Sequence, residues 1–279
     1  MRAQKACHHP EGWHAVFCFA SSVLRTLQEM DLERFFQENN KAAVAFSGGV
    51  DSSYLLYAGV KAGADVTGYY VKSAFQPAFE MNDAMRLAEQ IGARVKVIEV
   101  DVLADENVRS NPSDRCYYCK KAIFGNILRA AADDGYRLIL DGTNASDDEG
   151  DRPGMKALRE LEIRSPMREC GLTKDIIREL SREAGLFTWN KPAYACLATR
   201  IRTGEEISPD KLSATEASED LLFSLGFTDF RIRMRGKDAL IQMPSGQFPG
   251  LIENREQIFS SLKKYYDNIA LDLEPRNEQ

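Results

Sequence analysis

The sequence predicts an α/β fold in which helices cover both faces of a parallel sheet, followed by a small α+β domain. Short apolar runs alternate with segments of helical spacing through the first two thirds of the chain, which is typical of parallel strands joined by helices. After a turn-rich stretch at 204–209, the pattern changes to two strands between two helices. The chain has 279 residues, which suffice for one large domain and a small one.

The predicted strands of the large domain are short and apolar, as strands buried on both faces of a sheet should be. They cover 42–46, 65–71, 94–100 and 138–141. Helical spacing predicts helices that start at residue 54 and cover 78–91, about 116–132 and 173–184. In the small domain the same criteria predict helices at about 209–225 and 252–265, and strands at 230–234 and 239–243.

These patterns divide the chain into four parts. Residues 30–203 form the sheet domain and 204–272 the small domain. We expect residues 1–29 to be a disordered or non-native extension ahead of a true start at Met30, and residues 273–279 to be frayed.

Composition excludes several classes of protein. With 44% apolar and 28% charged residues the chain is an ordinary globular protein. Its net charge of −6 argues against a nucleic-acid partner. No apolar run is long enough to span a membrane, and six cysteines are too few for a disulfide scaffold, so we expect a cytoplasmic protein. All three histidines precede Ala15, which excludes a catalytic or zinc-binding histidine from the rest of the chain.

A glycine- and serine-rich loop follows the first predicted strand and precedes a helix. Its residues are Ser47, Gly48, Gly49, Val50, Asp51, Ser52 and Ser53. Glycines let the backbone approach an anion, and the free N–H groups of a helix start attract negative charge. An ordinary turn with Asp51 or Ser52 as the helix cap is the alternative. The Gly-Lys-Ser/Thr of a Walker loop is absent.

This loop resembles the pyrophosphate loop (PP-loop) of the N-type ATP pyrophosphatases. The resemblance implies a Rossmann-like, doubly wound sheet and cleavage of ATP into AMP and pyrophosphate through an adenylated intermediate. In such sheets ligands bind beyond the carboxyl ends of the strands, where Gly142 and Thr143 are also expected to contact the nucleotide.

Three cysteines form the second candidate site. Cys116 and Cys119 open a predicted helix, so they share one face. Cys196 follows 77 residues after Cys119, and we expect the nearby Lys191 and Arg200 to lower the pKa of its thiol. Three interpretations stay open. The cysteines are unrelated thiols, or they hold a structural zinc whose fourth ligand is Cys170, a carboxylate or water. In the third interpretation they are the ligands of an iron–sulfur cluster.

The sequence resembles the LarE family, ATP-dependent sulfur transferases of nickel-pincer cofactor biosynthesis. Four motifs in the family's order carry the resemblance, at 44–53, 141–147, 152–154 and 192–200. It implies that a carboxylate of pyridinium-3,5-biscarboxylic acid mononucleotide is adenylated and that sulfur then displaces AMP. In some members the cysteine matching Cys196 gives up its own sulfur, whereas others hold a 4Fe–4S cluster on three cysteines. This chain has Cys116, Cys119 and Cys196, which favours the cluster, with ATP and Mg²⁺ as the other cofactors.

The resemblance also assigns residues beyond the loop. Arg231 and Arg233 alternate on a predicted strand and, with Arg200, are expected to bind the phosphate of the mononucleotide; a charged, solvated edge strand is the alternative. Glu219 is a candidate metal or substrate ligand. The expected catalytic residues are Asp51, Cys196 and Lys120. Lys120 would neutralise charge near the α-phosphate; the alternative is a lysine that is simply solvated.

Other functions stay open at this point. A tRNA thiolase of the same superfamily also pairs such a loop with cysteines, although the net charge argues against it. An amidotransferase related to NAD or GMP synthetase would leave the cysteines without a role. A non-catalytic nucleotide-binding protein that delivers sulfur or metal is the alternative from another class. The resemblance further implies a homo-oligomer and a sulfide donor as partners.

Overall fold

The computed structural model describes residues 12–147 and 153–276, with side chains from residue 25 onward, and it confirms the α/β class. The strands of the larger sheet are β1 Lys41–Ala45, β2 Asp65–Lys72, β3 Arg94–Glu99 and β4 Ile139–Leu140. The helices that accompany them are α1 Gly12–Glu38, α2 Val50–Lys61, α3 Ala78–Ile91, α4 Glu106–Arg109, α5 Arg115–Asp133, α6 Pro153–Glu160, α7 Pro166–Glu169 and α8 Lys174–Glu183. The C-terminal unit contains α9 Pro209–Ser224, β5 Arg231–Arg235, β6 Asp238–Gln242, α10 Phe248–Glu253, α11 Arg255–Leu262 and β7 Asn268–Leu271.

The larger sheet is parallel throughout and has the strand order β3-β2-β1-β4. Because successive side chains of a strand point to opposite faces, β1 contributes to two cores. Val44 packs with residues of α1, α2 and α8 on one face, whereas Ala43 packs with residues of α5 and α6 on the other. Burial on both faces explains why the sequence of β1 is continuously apolar.

The C-terminal unit differs from the sequence prediction in two elements. The predicted helix at 252–265 is wrong in its bounds: two helices, α10 and α11, are separated at Asn254, whose side-chain amide donates to the carbonyl of Gly250 at 2.9 Å. A third strand, β7, was not predicted, and it pairs in parallel with β6. Its four residues are too few to show an alternating pattern.

Helix α1 runs without a break across the boundary predicted between residues 29 and 30. Arg25 pairs with Glu179 and Glu183 of α8, at 3.2 and 2.7 Å. Residues 1–11, in the predicted extension, and 277–279, at the end of the predicted frayed tail, lie outside the described residues. No described helix combines the length and apolar character that crossing a bilayer requires.

Candidate active site

The glycine- and serine-rich loop at 47–53, which we call the phosphate loop, links β1 to α2 at the carboxyl end of the larger sheet. Gly48 has a φ of +74°, and a Cβ atom there would lie 2.7 Å from the Cβ of Ala84 in α3, so only glycine fits. The N-cap of α2 is Gly49, and no side chain caps the helix. The alternative of a turn capped by Asp51 or Ser52 is therefore wrong, and the uncapped helix start is suited to an anion.

The loop serines have different positions. Ser47 and Ser52 approach each other, with their Oγ atoms 3.1 Å apart, and the backbone N–H of Ser47 also donates to Ser52 Oγ at 3.1 Å. Both residues line the adjoining cavity. Ser53 is fully buried and its hydroxyl has no hydrogen-bond partner. The structure therefore brings two of the three predicted serines to the cavity.

A cavity of about 610 Å³ opens beside the loop, a size that suits a nucleotide. The predicted site residues in its lining are Ser47, Gly49, Asp51, Ser52, Lys120, Gly142 and Thr143. The lining also has an apolar part, which includes Val71, Phe124 and Ile127. Gly142 lies against α2, since a Cβ there would be 2.9 Å from the backbone nitrogen of Ser52.

Asp51 combines a paired and an unpaired carboxylate oxygen. Its Oδ2 accepts a hydrogen bond from Lys174 Nζ at 2.7 Å, whereas its buried Oδ1 has no hydrogen-bond partner. Burial raises the pKa of Asp51, and the ammonium of Lys174 opposes that shift. A free carboxylate oxygen at a phosphate-binding cavity is the kind of ligand that Mg²⁺ takes.

Sequence reasoning assigned no role in the site to Lys174, and it gave Gly154 only as part of the motif at 152–154. A cation is disfavoured in the first turn of a helix, so the position of Lys174 at the start of α8 was the available signal. Lys120 lines the cavity and lies on Gly154 of α6, where a Cβ would be 3.1 Å from both Cδ and Cε of the lysine. Gly154 thus provides the space in which the Lys120 side chain lies.

The three predicted cysteines are near one another. Cys116 lines the cavity from the first turn of α5, Cys119 follows on the same face, and Cys196 directly precedes a 3₁₀ turn at Leu197–Arg200. Burial raises the pKa of Cys119 to about 12, and the neighbouring thiol of Cys196 adds to the shift. Among the described residues, however, no three His, Cys, Asp or Glu side chains form a group that could hold a metal ion.

The expectation of a lowered pKa for Cys196 is wrong. Burial raises the pKa of this thiol, and the guanidinium groups of Arg115 and Arg200 oppose the shift without overcoming it. Lys191 forms an ion pair with Asp83 of α3 at 2.7 Å. The Cys196 thiol is therefore mainly protonated at neutral pH.

The predicted residues of the C-terminal unit surround the Cys196 segment. Arg200 and Glu219 form an ion pair at 2.7 Å, with side chains 0% and 1% exposed. Arg231 donates to the carbonyl of Ala193 at 2.7 Å, and Arg233 donates to the carbonyl of Thr199. The predicted phosphate-binding and metal-binding residues are thus hydrogen-bonded within the protein.

Four arginines near Cys196 line a second cavity, of about 550 Å³. They are Arg200, Arg202, Arg233 and Arg235. Guanidinium groups suit a phosphate. Arg231 does not line this cavity, because it is buried against the ring of Tyr194.

Comparison with known proteins gives the family. No protein-family profile matches the chain. It is 33% identical over 236 residues to pyridinium-3,5-bisthiocarboxylic acid mononucleotide synthase of Lactiplantibacillus plantarum, which covers 84% of this chain and 86% of that protein. An uncharacterized protein of Synechocystis, slr1717, is 33% identical over 88% of this chain and 92% of its own length.

A more distant relative matches only in part. The tRNA-specific 2-thiouridylase MnmA of Fervidobacterium nodosum is 27% identical over 189 residues, 54% of each chain. Such partial matches support the PP-loop superfamily, and the near-complete match to the mononucleotide synthase is more specific. The chain belongs to the LarE family of PP-loop sulfur transferases.

Proposed function

We propose that the chain uses ATP to adenylate a carboxylate of pyridinium-3,5-biscarboxylic acid mononucleotide, and that sulfur then displaces AMP to give the thiocarboxylate. This is a step in the biosynthesis of a nickel-pincer cofactor. The observation that carries the proposal is a single cavity that is lined both by residues of the phosphate loop and by Cys116. The 33% identity to a synthase whose name gives the corresponding product supports it.

The lining of the cavity supports ATP binding. The uncapped start of α2 and the hydroxyls of Ser47 and Ser52 would hold the pyrophosphate. The adenine would lie against the apolar part of the lining, near Phe124. The free Oδ1 of Asp51 would hold Mg²⁺, which neutralises phosphate charge.

Adenylation needs positive charge where negative charge accumulates. A carboxylate oxygen of the substrate attacks the α-phosphorus, the bond from that phosphorus to the bridging oxygen breaks, and pyrophosphate leaves. Lys120 would stabilise the charge on the α-phosphate, since its side chain lines the cavity above Gly154. Arg233 would bind the phosphate of the mononucleotide from the second cavity, and Arg200 and Arg231, whose side chains are buried, would support it.

In one of two possible modes of sulfur transfer, Cys196 itself supplies the sulfur and is consumed. Its thiol loses a proton, the sulfur attacks the acyl carbon, and AMP leaves with the bonding electron pair. Removal of the Cα proton of residue 196 then breaks the Cβ–S bond, which releases the thiocarboxylate and leaves dehydroalanine.

The alternative sulfur source is a cluster. Cys116, Cys119 and Cys196 would hold a 4Fe–4S cluster, which would bind sulfide delivered by a donor and so allow repeated turnover. The thiol donor set fits, and the three side chains influence one another electrostatically. In the described residues they are not yet arranged as a metal-binding group, so the cluster requires the thiols to move closer together.

The test is to incubate the chain with ATP and the dicarboxylate mononucleotide and to measure AMP, pyrophosphate and thiocarboxylate. Ser47→Ala and Asp51→Ala should abolish AMP formation. Ser53→Ala is the matched control, because its hydroxyl is buried away from the cavity. Cys196→Ala should still release pyrophosphate in a first turnover, because adenylation precedes the step of this cysteine, and should form no thiocarboxylate. Thiocarboxylate from Cys196→Ala would contradict the role of this cysteine, and AMP formation that depends on tRNA instead would indicate a tRNA thiolase.

The sulfur source is tested by anaerobic purification and cluster reconstitution. About four irons and four sulfides per chain, lost in Cys116→Ala, would support the cluster. With neither present, mass spectrometry after one turnover should find dehydroalanine at position 196.

A further inference from the structure

The segment that carries Cys196, residues 193–200, is held at both ends by the C-terminal unit. At its start, Arg231 Nη2 donates to the carbonyl of Ala193 at 2.7 Å. At its end, Arg233 Nη1 donates to the carbonyl of Thr199. We call residues 193–200 the Cys196 loop. Both of its anchors come from β5, more than thirty positions later in the chain.

Glu219 of α9 lies at the centre of this arrangement. Its Oε1 accepts hydrogen bonds from Arg200 Nε at 2.7 Å and from the backbone N–H of Ile232 at 3.0 Å. Its Oε2 accepts from the hydroxyl of Tyr194 and from Arg200 Nη2. Tyr194 and Arg200 lie on either side of Cys196 in sequence, so one carboxylate binds the loop before and after the cysteine.

Arg200 passes this restraint on to the cysteine. Its Nη1 donates to the carbonyl of Ala195 at 3.2 Å and to Thr199 Oγ1 at 2.8 Å. That hydroxyl in turn donates to the carbonyl of Cys196 at 2.8 Å. The backbone on both sides of the thiol is therefore connected to Glu219 through Arg200.

The burial of Glu219 favours a role in holding the Cys196 loop over a role as a metal or substrate ligand. Its carboxylate is 1% exposed and already accepts four hydrogen bonds. A metal ion or substrate would have to displace Arg200 and leave its guanidinium, with no exposed surface, without its charged partner. Unpaired buried charges are strongly unfavourable.

We propose that Glu219 is a positioning residue for sulfur transfer: through Tyr194 and Arg200 it fixes the Cys196 loop and has no direct contact with substrate or metal. The proposal rests on the sulfur-transfer role proposed above for Cys196. Its main test, the accessibility of the thiol, does not require that any substrate be turned over.

The experiment compares Glu219→Gln with the native sequence in the full chain. Iodoacetamide labelling is followed by mass spectrometry of the Cys196 peptide, with the Cys170 peptide as an internal reference. Local release of the loop should raise the rate for Cys196 at least about tenfold and leave that for Cys170 unchanged. Pyrophosphate release in the first turnover should stay within about twofold, whereas thiocarboxylate formation should fall at least about tenfold.

Two further variants keep the test decisive. Tyr194→Phe removes a single hydrogen bond to Glu219 and keeps the ring, so it should show the same pattern more weakly even where Glu219→Gln does not fold. Glu183→Gln removes an exposed carboxylate partner of Arg25 and should change none of the readouts.

Other results would overturn the proposal. Faster labelling of Cys170 together with Cys196 would mean that Glu219 supports the fold in general. Unchanged labelling of Cys196 with lost thiocarboxylate, or with an altered metal requirement, would mean that Glu219 acts directly on substrate or metal. If the native chain itself forms no AMP, the proposed function fails, while the labelling result still decides the role of Glu219.

Discussion

The phosphate loop and the Cys196 loop are held in different ways. The phosphate loop is organised mainly by contacts among its own residues, such as the pair Ser47 and Ser52, with Lys174 as a distant partner of Asp51. The Cys196 loop is held by Glu219 and Arg231, which lie 19 and 38 positions from the residues they contact. One loop leaves the N–H groups at the start of α2 without a side-chain cap, and the other has backbone carbonyls that accept hydrogen bonds from arginine side chains.

This difference indicates that the two half-reactions are structurally separable. A site that binds phosphate must leave donors unsatisfied until the ligand arrives. A loop that carries a nucleophile gains from restraint, because a small misplacement of a reacting atom is costly. Changes in the phosphate loop should therefore lower adenylation, and with it every later product, without loosening Cys196. Changes around the Cys196 loop should instead lower thiocarboxylate formation and leave pyrophosphate release in the first turnover intact.

The largest effect is expected from Gly48→Ala. The new Cβ would be 2.7 Å from Ala84 Cβ, and the φ of +74° is unfavourable for alanine. Displacement of the loop should lower AMP formation by about a hundredfold, measured as initial rate with the mononucleotide. Iodoacetamide labelling of Cys196 should be unchanged.

Gly63→Ala is the control for backbone strain. Gly63 has nearly the same φ, +73°, but a Cβ there would contact nothing within 4 Å. Gly63→Ala should lower the free energy of unfolding by about 1 kcal/mol and leave the rate of AMP formation unchanged. Equal loss of AMP formation in both variants would show that strain rather than the position of the loop is responsible.

A smaller effect is expected at the Lys120 side chain, which also lines the cavity, in Gly154→Ala. The added Cβ would meet Lys120 Cδ and Cε at 3.1 Å, and a flexible side chain can shift to avoid it. We expect AMP formation to fall about tenfold, through the loss of charge stabilisation at the α-phosphate. Gly125→Ala in α5, where a Cβ has open space, should leave the rate unchanged. An unaffected rate in Gly154→Ala would argue against the role of Lys120.

The buried carboxyl of Glu80 predicts a dependence of stability on pH. It is on α3, which packs against Gly48, and it interacts electrostatically with Lys191 and Arg200. Burial raises the pKa of Glu80 from 4.5 to about 7. Because the folded chain binds this proton more tightly than the unfolded chain, the contribution to stability is greatest below pH 4.5 and is lost as pH rises through 7.

Glu80→Gln should therefore remove part of the pH dependence. At pH 8 the variant should be more stable than the native chain by about 1 kcal/mol, after allowance for solvent screening. Urea unfolding at pH 5 and pH 8 measures the difference. Glu253→Gln, at an exposed carboxylate, is the control. Greater stability of the native chain at pH 8 would contradict a raised pKa for Glu80.

The same contrast explains what could be predicted from the sequence. The larger sheet and the phosphate loop were predictable because their signals are local: β1 is apolar because both of its faces are buried, and the loop is contiguous. The pairing of Glu219 with Arg200 was not predictable, since only the fold brings these residues together. Burial also reversed the expected pKa shift of Cys196, because nearby cations can be counted in a sequence and desolvation cannot.

Residues 1–29 should have the smallest effect on either loop. Deletion removes ion pairs from Arg25 to α8 and the hydrogen bond from Gln28 to the carbonyl of Gly171. Exposed ion pairs contribute little, so we expect a loss of about 1 kcal/mol in the free energy of unfolding and no change in AMP formation or Cys196 labelling. Leu32, which is buried and remains in the truncated chain, provides the contrast: Leu32→Ala should cost at least about 2 kcal/mol. The polar residues that line the two cavities all come from beyond residue 46. Loss of turnover in a truncated chain that still unfolds cooperatively would therefore show that residues 1–29 contribute to the active site.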